Sequence, residues 1–208
     1  MATRQSEICI SCGIRPNESS DHTPSKGLFP KPAPSNLITV PSCDQCNKAF
    51  SKDEEYFRAV LVYSQHGQVA PQGTWAKVER GLDREESKLF DLFLDSLSVA
   101  EDNYPEVELN VDNARVDRVL VKTLQGLYFS HFGFRLAEGD WSSPRVGSVS
   151  SISSLVQLWF ANTSFVEIGP PVFAYRFVEV NDPIFSTVWQ MVFYQSLSCI
   201  FGIKRNVS

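Results

Sequence analysis

Four of the five cysteines in this chain fall within its first fifty residues as two Cys-x2-Cys pairs, Cys9-Ile10-Ser11-Cys12 and Cys43-Asp44-Gln45-Cys46. A pair with this spacing can turn both sulfurs toward one point, and two pairs meet the tetrahedral preference of zinc in a closed, structural site. The thirty residues between Cys12 and Cys43 exceed what a zinc ribbon needs, so further structure is expected between the knuckles. The competing reading is a pair of disulfides. The polar run from Ala2 to Glu7 lacks the apolar core of a secretory signal, so a reducing cytoplasm is the expected compartment, and disulfides are disfavoured there. Cys199 sits in a distant hydrophobic run and reads as a buried thiol.

Between and beside the knuckles lie Asp21-His22, then Asn36, then Asn47 directly after Cys46. These residue types suit phosphodiester hydrolysis, which needs a nucleophile made from water and a counter-charge for the departing oxygen. A neutral imidazole, with an unperturbed pKa of about 6.5, suits the first task. A cation held by one carboxylate and one amide oxygen suits the second. Neighbouring residues on a strand point to opposite faces, yet at a distorted strand end both can approach one reactive centre. Singly, each residue has an ordinary explanation: an Asp-His pair as a turn or cap, and an asparagine before a hydrophobic run as a strand-entry residue.

Taken in order, Cys-x2-Cys, Asp-His-x-Pro, Asn-Leu and Cys-x2-Cys-Asn resemble the HNH endonucleases over about residues 7–58. Ser25–Pro30 and Ser51–Arg58 look like a bacterial subgroup of that family. The resemblance implies a ββα-metal finger of treble-clef type. It also implies that Asp21 ligates a catalytic divalent cation, that His22 is the general base, that Asn36 braces the loop and the histidine, and that Asn47 completes the cation site. Asparagine in place of the family's last histidine favours a hard, oxygen-preferring ion, magnesium or manganese. By resemblance alone the substrate is a nucleic acid, DNA before RNA. The family's bacterial members are often found in restriction, phage defence or mobile elements. The alternative is a zinc-binding interaction module that kept the fold and lost turnover.

Charge constrains how nucleic acid is held. The net charge is −5, but residues 1–58 carry seven Lys/Arg against seven Asp/Glu, whereas residues 59–104 carry four against eight. The finger is therefore neutral, and phosphate contacts would fall to Lys26, Lys31, Lys48 and Lys52. Binding by the isolated chain is expected to be weak and salt-sensitive unless a partner protein or a homo-oligomer presents the substrate.

The elements that must position these residues follow from patterning. Leu37–Val40 reads as a strand after the proline-rich connector Phe29–Pro34. Ser42 with Gln45 fits a capping box, so a helix is expected from Asp44, with Ser51 a candidate break before it continues to Tyr63. Gly67–Gly73 reads as a loop, Arg84–Val99 as an amphipathic helix, Asp102–Pro105 as a soft boundary, and Val116–Phe132 as a second helix ended by Gly133. Ser142–Ser154 reads as a loop before a short apolar segment. Three β-branched and aromatic runs over residues 172–203 then read as an antiparallel meander. The expected class is α+β, with a finger in residues 1–66 and an accessory domain in 67–208, helical over 83–133. His66 and His131 read as non-catalytic. No apolar run approaches the roughly 20 residues that span a bilayer.

Overall fold

A computed structural model describes residues 7–64, 70–83, 88–99 and 107–205. The first hairpin pairs β1 (Ser19–Thr23) with β2 (Ile38–Ser42) in antiparallel register, Asp21 opposite Val40 and His22 opposite Thr39. Because strand side chains alternate, Asp21, Thr23, Val40 and Ser42 are buried while His22 and Thr39 face the other way. Helix α1 (Asp44–Tyr63) follows immediately. Its cap is Cys43 rather than the expected Ser42: the Cys43 sulfur accepts from the Cys46 amide at 3.5 Å, and Ser42 completes β2. Ser51 does not break the helix, because its hydroxyl donates back to the Lys48 carbonyl at 2.9 Å and the helical path continues.

Beyond the finger the structure departs from the sequence reading in several places. Helix α2 (Gln72–Leu82) occupies a stretch without clear periodicity and takes in the end of the expected loop. Helix α3 (Lys88–Asp95) ends four residues before the expected Val99. Its C-terminal continuation is instead β3 (Leu97–Val99), paired antiparallel with β4 (Val107–Leu109). Residues 84–87, the soft boundary at 102–105 and His66 lie outside the described residues. Helix α4 (Asn113–Phe132) matches its predicted spacing: the Asp112 side chain accepts from the Arg115 amide, and Gly133 closes it in the left-handed region at φ 72°. The serine-rich stretch contains β5 (Arg145–Ser148), and α5 (Ser154–Trp159) follows it.

The meander is present but is the middle of a larger sheet. Strands β6 (Val166–Ile168), β7 (Phe173–Glu179), β8 (Phe185–Phe193) and β9 (Leu197–Lys204) join β5 in the order β5-β9-β8-β7-β6, antiparallel throughout. The two edge strands have four and three residues, too few for alternation to mark them. Trp189, Met191 and Phe193 on β8 and Cys199, Phe201 and Ile203 on β9 line the inner face, and Val188 the outer. A bulge between Phe185 and Thr187 moves Phe185 into the outer set, against α5. Among the described residues there are five α-helices with antiparallel sheets, a mixed α and β chain.

One hydrophobic core runs from Leu28, Phe29 and Phe57 through Leu120 and Leu124 to Trp189 and Ile203, and so draws on residues of both the expected finger and the expected accessory domain. Phe57 of α1 meets Phe193 of β8 edge to face at 5.2 Å. The carbonyl of Leu28 accepts from Thr74 at 3.2 Å and from the Tyr194 hydroxyl at 3.1 Å, tying the loop between β1 and β2 to α2 and the sheet. No helix of the described residues is long and apolar enough to cross a membrane.

Helix α4 is the element that fixes the hairpin. Two residues along β1, Asp21 to Thr23, advance about 6.6 Å, and four along α4, Lys122 to Gly126, advance about 6 Å. The two pairs therefore meet side by side. Lys122 pairs with Asp21, and a β-carbon on Gly126 would lie 2.0 Å from the Thr23 hydroxyl. Gly126→Ala should push α4 off β1 and destabilise the fold by about 1–3 kcal/mol, read as a lower urea midpoint at unchanged slope; an unchanged midpoint would refute this close approach.

Candidate metal centre

The Cys9, Cys12, Cys43 and Cys46 sulfurs all lie within 4.8 Å of one another. The first pair sits on a knuckle closed by the Gly13 amide donating to the Cys9 carbonyl at 2.8 Å, with Gly13 at φ 66° where glycine is strain-free. The second pair occupies the cap and first turn of α1. The Ile10 amide donates to the Pro41 carbonyl at 3.1 Å, which brings the knuckle to the end of β2. Arg135, just beyond α4, donates to the Ile10 and Ser11 carbonyls at 2.8 and 3.2 Å and holds the knuckle from the far side.

The electrostatics suit a cation among the sulfurs. The Cys43 thiol is lowered to about 6, first by the Cys46 amide that donates to it and further by Arg15. The Cys46 thiol is raised, first by burial and then by the neighbouring sulfurs. Four thiolates this close repel one another unless a positive charge sits among them. A zinc ion at about 2.3 Å from each sulfur would space them roughly 3.8 Å apart, within the observed spread, so the residues fit zinc. Arg15 lies 3.6 and 3.7 Å from the Cys43 and Cys46 sulfurs, where it offsets part of the excess negative charge of a tetrathiolate site. Neither Arg15 nor Arg135 carries a motif, so spacing alone could not reveal them.

The other predicted residues go to separate partners. Asp21 is 8% exposed; one carboxylate oxygen accepts from the His22 amide at 2.7 Å, and the other lies 2.7 Å from the Lys122 ammonium, close enough for an ion pair though off the line of a hydrogen bond. His22 is on the opposite face of β1, where Nδ1 meets the Thr39 hydroxyl at 3.4 Å and Nε2 has no protein partner among the described residues. Asn47 donates its amide to the Ser20 carbonyl at 3.4 Å, so the first turn of α1 touches β1 one residue before Asp21. Asn36 does not brace His22; its amide donates to the Glu167 carbonyl of β6 at 2.9 Å. Lys26, Lys31, Lys48 and Lys52 are all exposed. His131 donates to or accepts from the Tyr175 hydroxyl at 2.9 Å beside Phe177 and Trp189, away from these residues.

Lys122 is 6% exposed and also pairs with Glu54 of α1, whose other oxygen accepts from the Ser25 hydroxyl at 2.8 Å. The ammonium further lies 5.2 Å from the centre of the Phe50 ring. One buried cation thus serves two carboxylates from two elements. With Asp21 already balanced in this way, Asp21 and Asn47 as arranged do not fit a divalent ion: a second cation beside Lys122 would meet its repulsion at short range. In sequence the only trace of this network is a lysine inside the apolar run Val119-Leu120-Val121-Lys122-Thr123-Leu124.

Replacing Cys43 with serine should abolish stoichiometric zinc and unfold the knuckle and the start of α1, because structural zinc contributes about 10 kcal/mol or more to small zinc folds. Metal analysis with circular dichroism reads both effects, and a zinc-free wild type that unfolds at the same temperature as the zinc-loaded one would refute it.

No family model, curated protein or solved structure matches the chain, which leaves the sulfur cluster and the residues around β1 to carry the functional reading.

Proposed function

We propose that the chain is an HNH-type endonuclease: a zinc-stapled finger of the ββα-metal, treble-clef kind that hydrolyses phosphodiester bonds in nucleic acid, with DNA favoured over RNA by the resemblance. The observation that carries the reading is the joint placement of hairpin and helix by the four sulfurs, which sets the Asn47 amide against β1 beside Asp21 and His22. His22 is suited to take a proton from water. If Nδ1–H donates to Thr39, Nε2 is left as the acceptor on a face that α4 does not cover. Thr39 then acts by fixing the tautomer and the ring plane. Asp21, through its contact with the His22 amide, holds the strand backbone that carries the ring.

Substrate would lie along the exposed lysines. Lys48 and Lys52 are four residues apart on α1 and share a face of the helix, while Lys26 and Lys31 lie within the segment that joins β1 to β2. Each supplies a point charge for a phosphate, without base contacts that would select a sequence.

A second reading is favoured by one observation, the ion pair between Asp21 and Lys122. A carboxylate neutralised by its own chain is what a finger kept for binding alone would show. In that reading the zinc frame presents the lysine face to nucleic acid or protein and turns nothing over.

Nicking of supercoiled plasmid by zinc-loaded protein, with magnesium or manganese added, separates the two. The nuclease reading expects cleavage that falls by about 100-fold or more in His22→Ala, with fold and zinc content unchanged. Background nicking by a folded, zinc-loaded wild type would leave the binding module. Independently, Lys48→Ala with Lys52→Ala should weaken duplex binding across unrelated sequences and lower the salt slope by about two, measured by fluorescence anisotropy at several salt concentrations. An unchanged slope would move the contact surface elsewhere.

A further inference from the structure

Asp21 of β1 and Glu54 of α1 converge on one nitrogen, the ammonium of Lys122, which reaches them from α4 and is 6% exposed. Three elements far apart in sequence thus meet at a single positive charge, at the carboxylate that the resemblance to HNH endonucleases would assign to a divalent ion. The two carboxylates at ion-pair distance account for so buried a lysine, with the centre of the Phe50 ring 5.2 Å from the ammonium adding a further contact. Its neighbour one turn on, Gly126, brings α4 against Thr23 with no space to spare, so the lysine is held by the close packing of helix on strand.

We infer that Lys122 is the resident cation of the Asp21 and Glu54 pair, and that a divalent ion takes this place only when the lysine leaves it. The inference rests on the nuclease reading for the importance of Asp21, while the ion network itself does not. Lysine and a hard divalent ion compete for the same carboxylate oxygens, because both are satisfied by close, anionic oxygen donors and neither tolerates the other nearby. Occupation by Lys122 therefore keeps the finger folded without a second metal and sets a threshold for metal entry. Glu54 becomes part of the site, with Ser25 orienting its carboxylate.

The test uses full-length, zinc-loaded protein and manganese alone as the probe, followed by electron paramagnetic resonance. Manganese, which prefers oxygen, does not compete for the cysteine sulfurs. Wild type is expected to bind no manganese in an Asp21-dependent way at concentrations that saturate Lys122→Met. Lys122→Met is expected to gain one ion per chain, and Lys122→Met combined with Asp21→Asn to lose it. Manganese bound by wild type and lost in Asp21→Asn alone would overturn the inference, and this comparison needs no variant at Lys122, should that variant fail to fold. A folded Lys122→Met that takes up no manganese would overturn it equally. A Lys122→Met that binds manganese yet leaves plasmid intact would uphold the inference and remove the nuclease reading instead.

Discussion

Four sulfurs within 4.8 Å of one another set the constraint on which the N-terminal part of this protein depends. Thiolates at that range repel, and burial makes the repulsion worse, so a cation such as zinc at the centre would hold the arrangement together. Two knuckles so joined fix where β2 ends and α1 begins, since Cys43 is both a zinc-type ligand and the cap of the helix. Everything placed by that junction, Asn47 against Ser20 and through it the first strand, inherits its position from the sulfurs. Arg15 and Arg135 complete the constraint from outside, one toward the sulfur charge and one toward the knuckle backbone.

The second constraint is helix α4, which joins the finger to the five-stranded sheet. One stripe of the helix enters the shared core through Val116, Leu120, Leu124 and Leu127, and the Lys122 and Gly126 stripe meets β1. Arg115 and Arg118, a turn earlier, pair with the buried Asp53 of α1. The finger is therefore clamped by charge on one side and apolar contact on the other. Buried ion pairs of this kind add little stability over an apolar equivalent, but removing one partner is costly, so they act mainly to specify how α4 docks. That geometry puts the Asp21 carboxylate inside and leaves the His22 ring outside, two neighbouring residues in two different dielectric environments.

Legibility followed the range of the interaction. Helix α4 could be read because its apolar spacing is local and Gly133 ends it. The strands β7, β8 and β9 were visible because long β-branched and aromatic runs bounded by turn residues mark them. Strands β5 and β6, with four and three residues, depend on a neighbouring strand for their shape, and β3 was hidden in what reads as the tail of a helix. Ser42 fits the cap position by type, yet the cap went to Cys43, whose sulfur is drawn to the same place by the other three. Asn36 reads as part of the finger but bonds β6, more than a hundred residues away.

From the sequence by itself, the two Cys-x2-Cys pairs already pointed to a cluster able to hold a metal, because ligand spacing within a pair is a local property and two pairs complete one coordination shell. The sequence left open whether Asp21 and His22 approach one centre, as a distorted strand end would allow; the regular register of β1 instead turns them to opposite faces. What only the tertiary structure decided is what each then faces. Lys122 lies 101 positions beyond Asp21 in the chain, and no pattern within either segment records that a helix and a strand of matching rise would bring a buried ammonium to that carboxylate. Local periodicity encodes which side of an element is turned inward, whereas the identity of the charge waiting there is set by packing between elements distant in sequence.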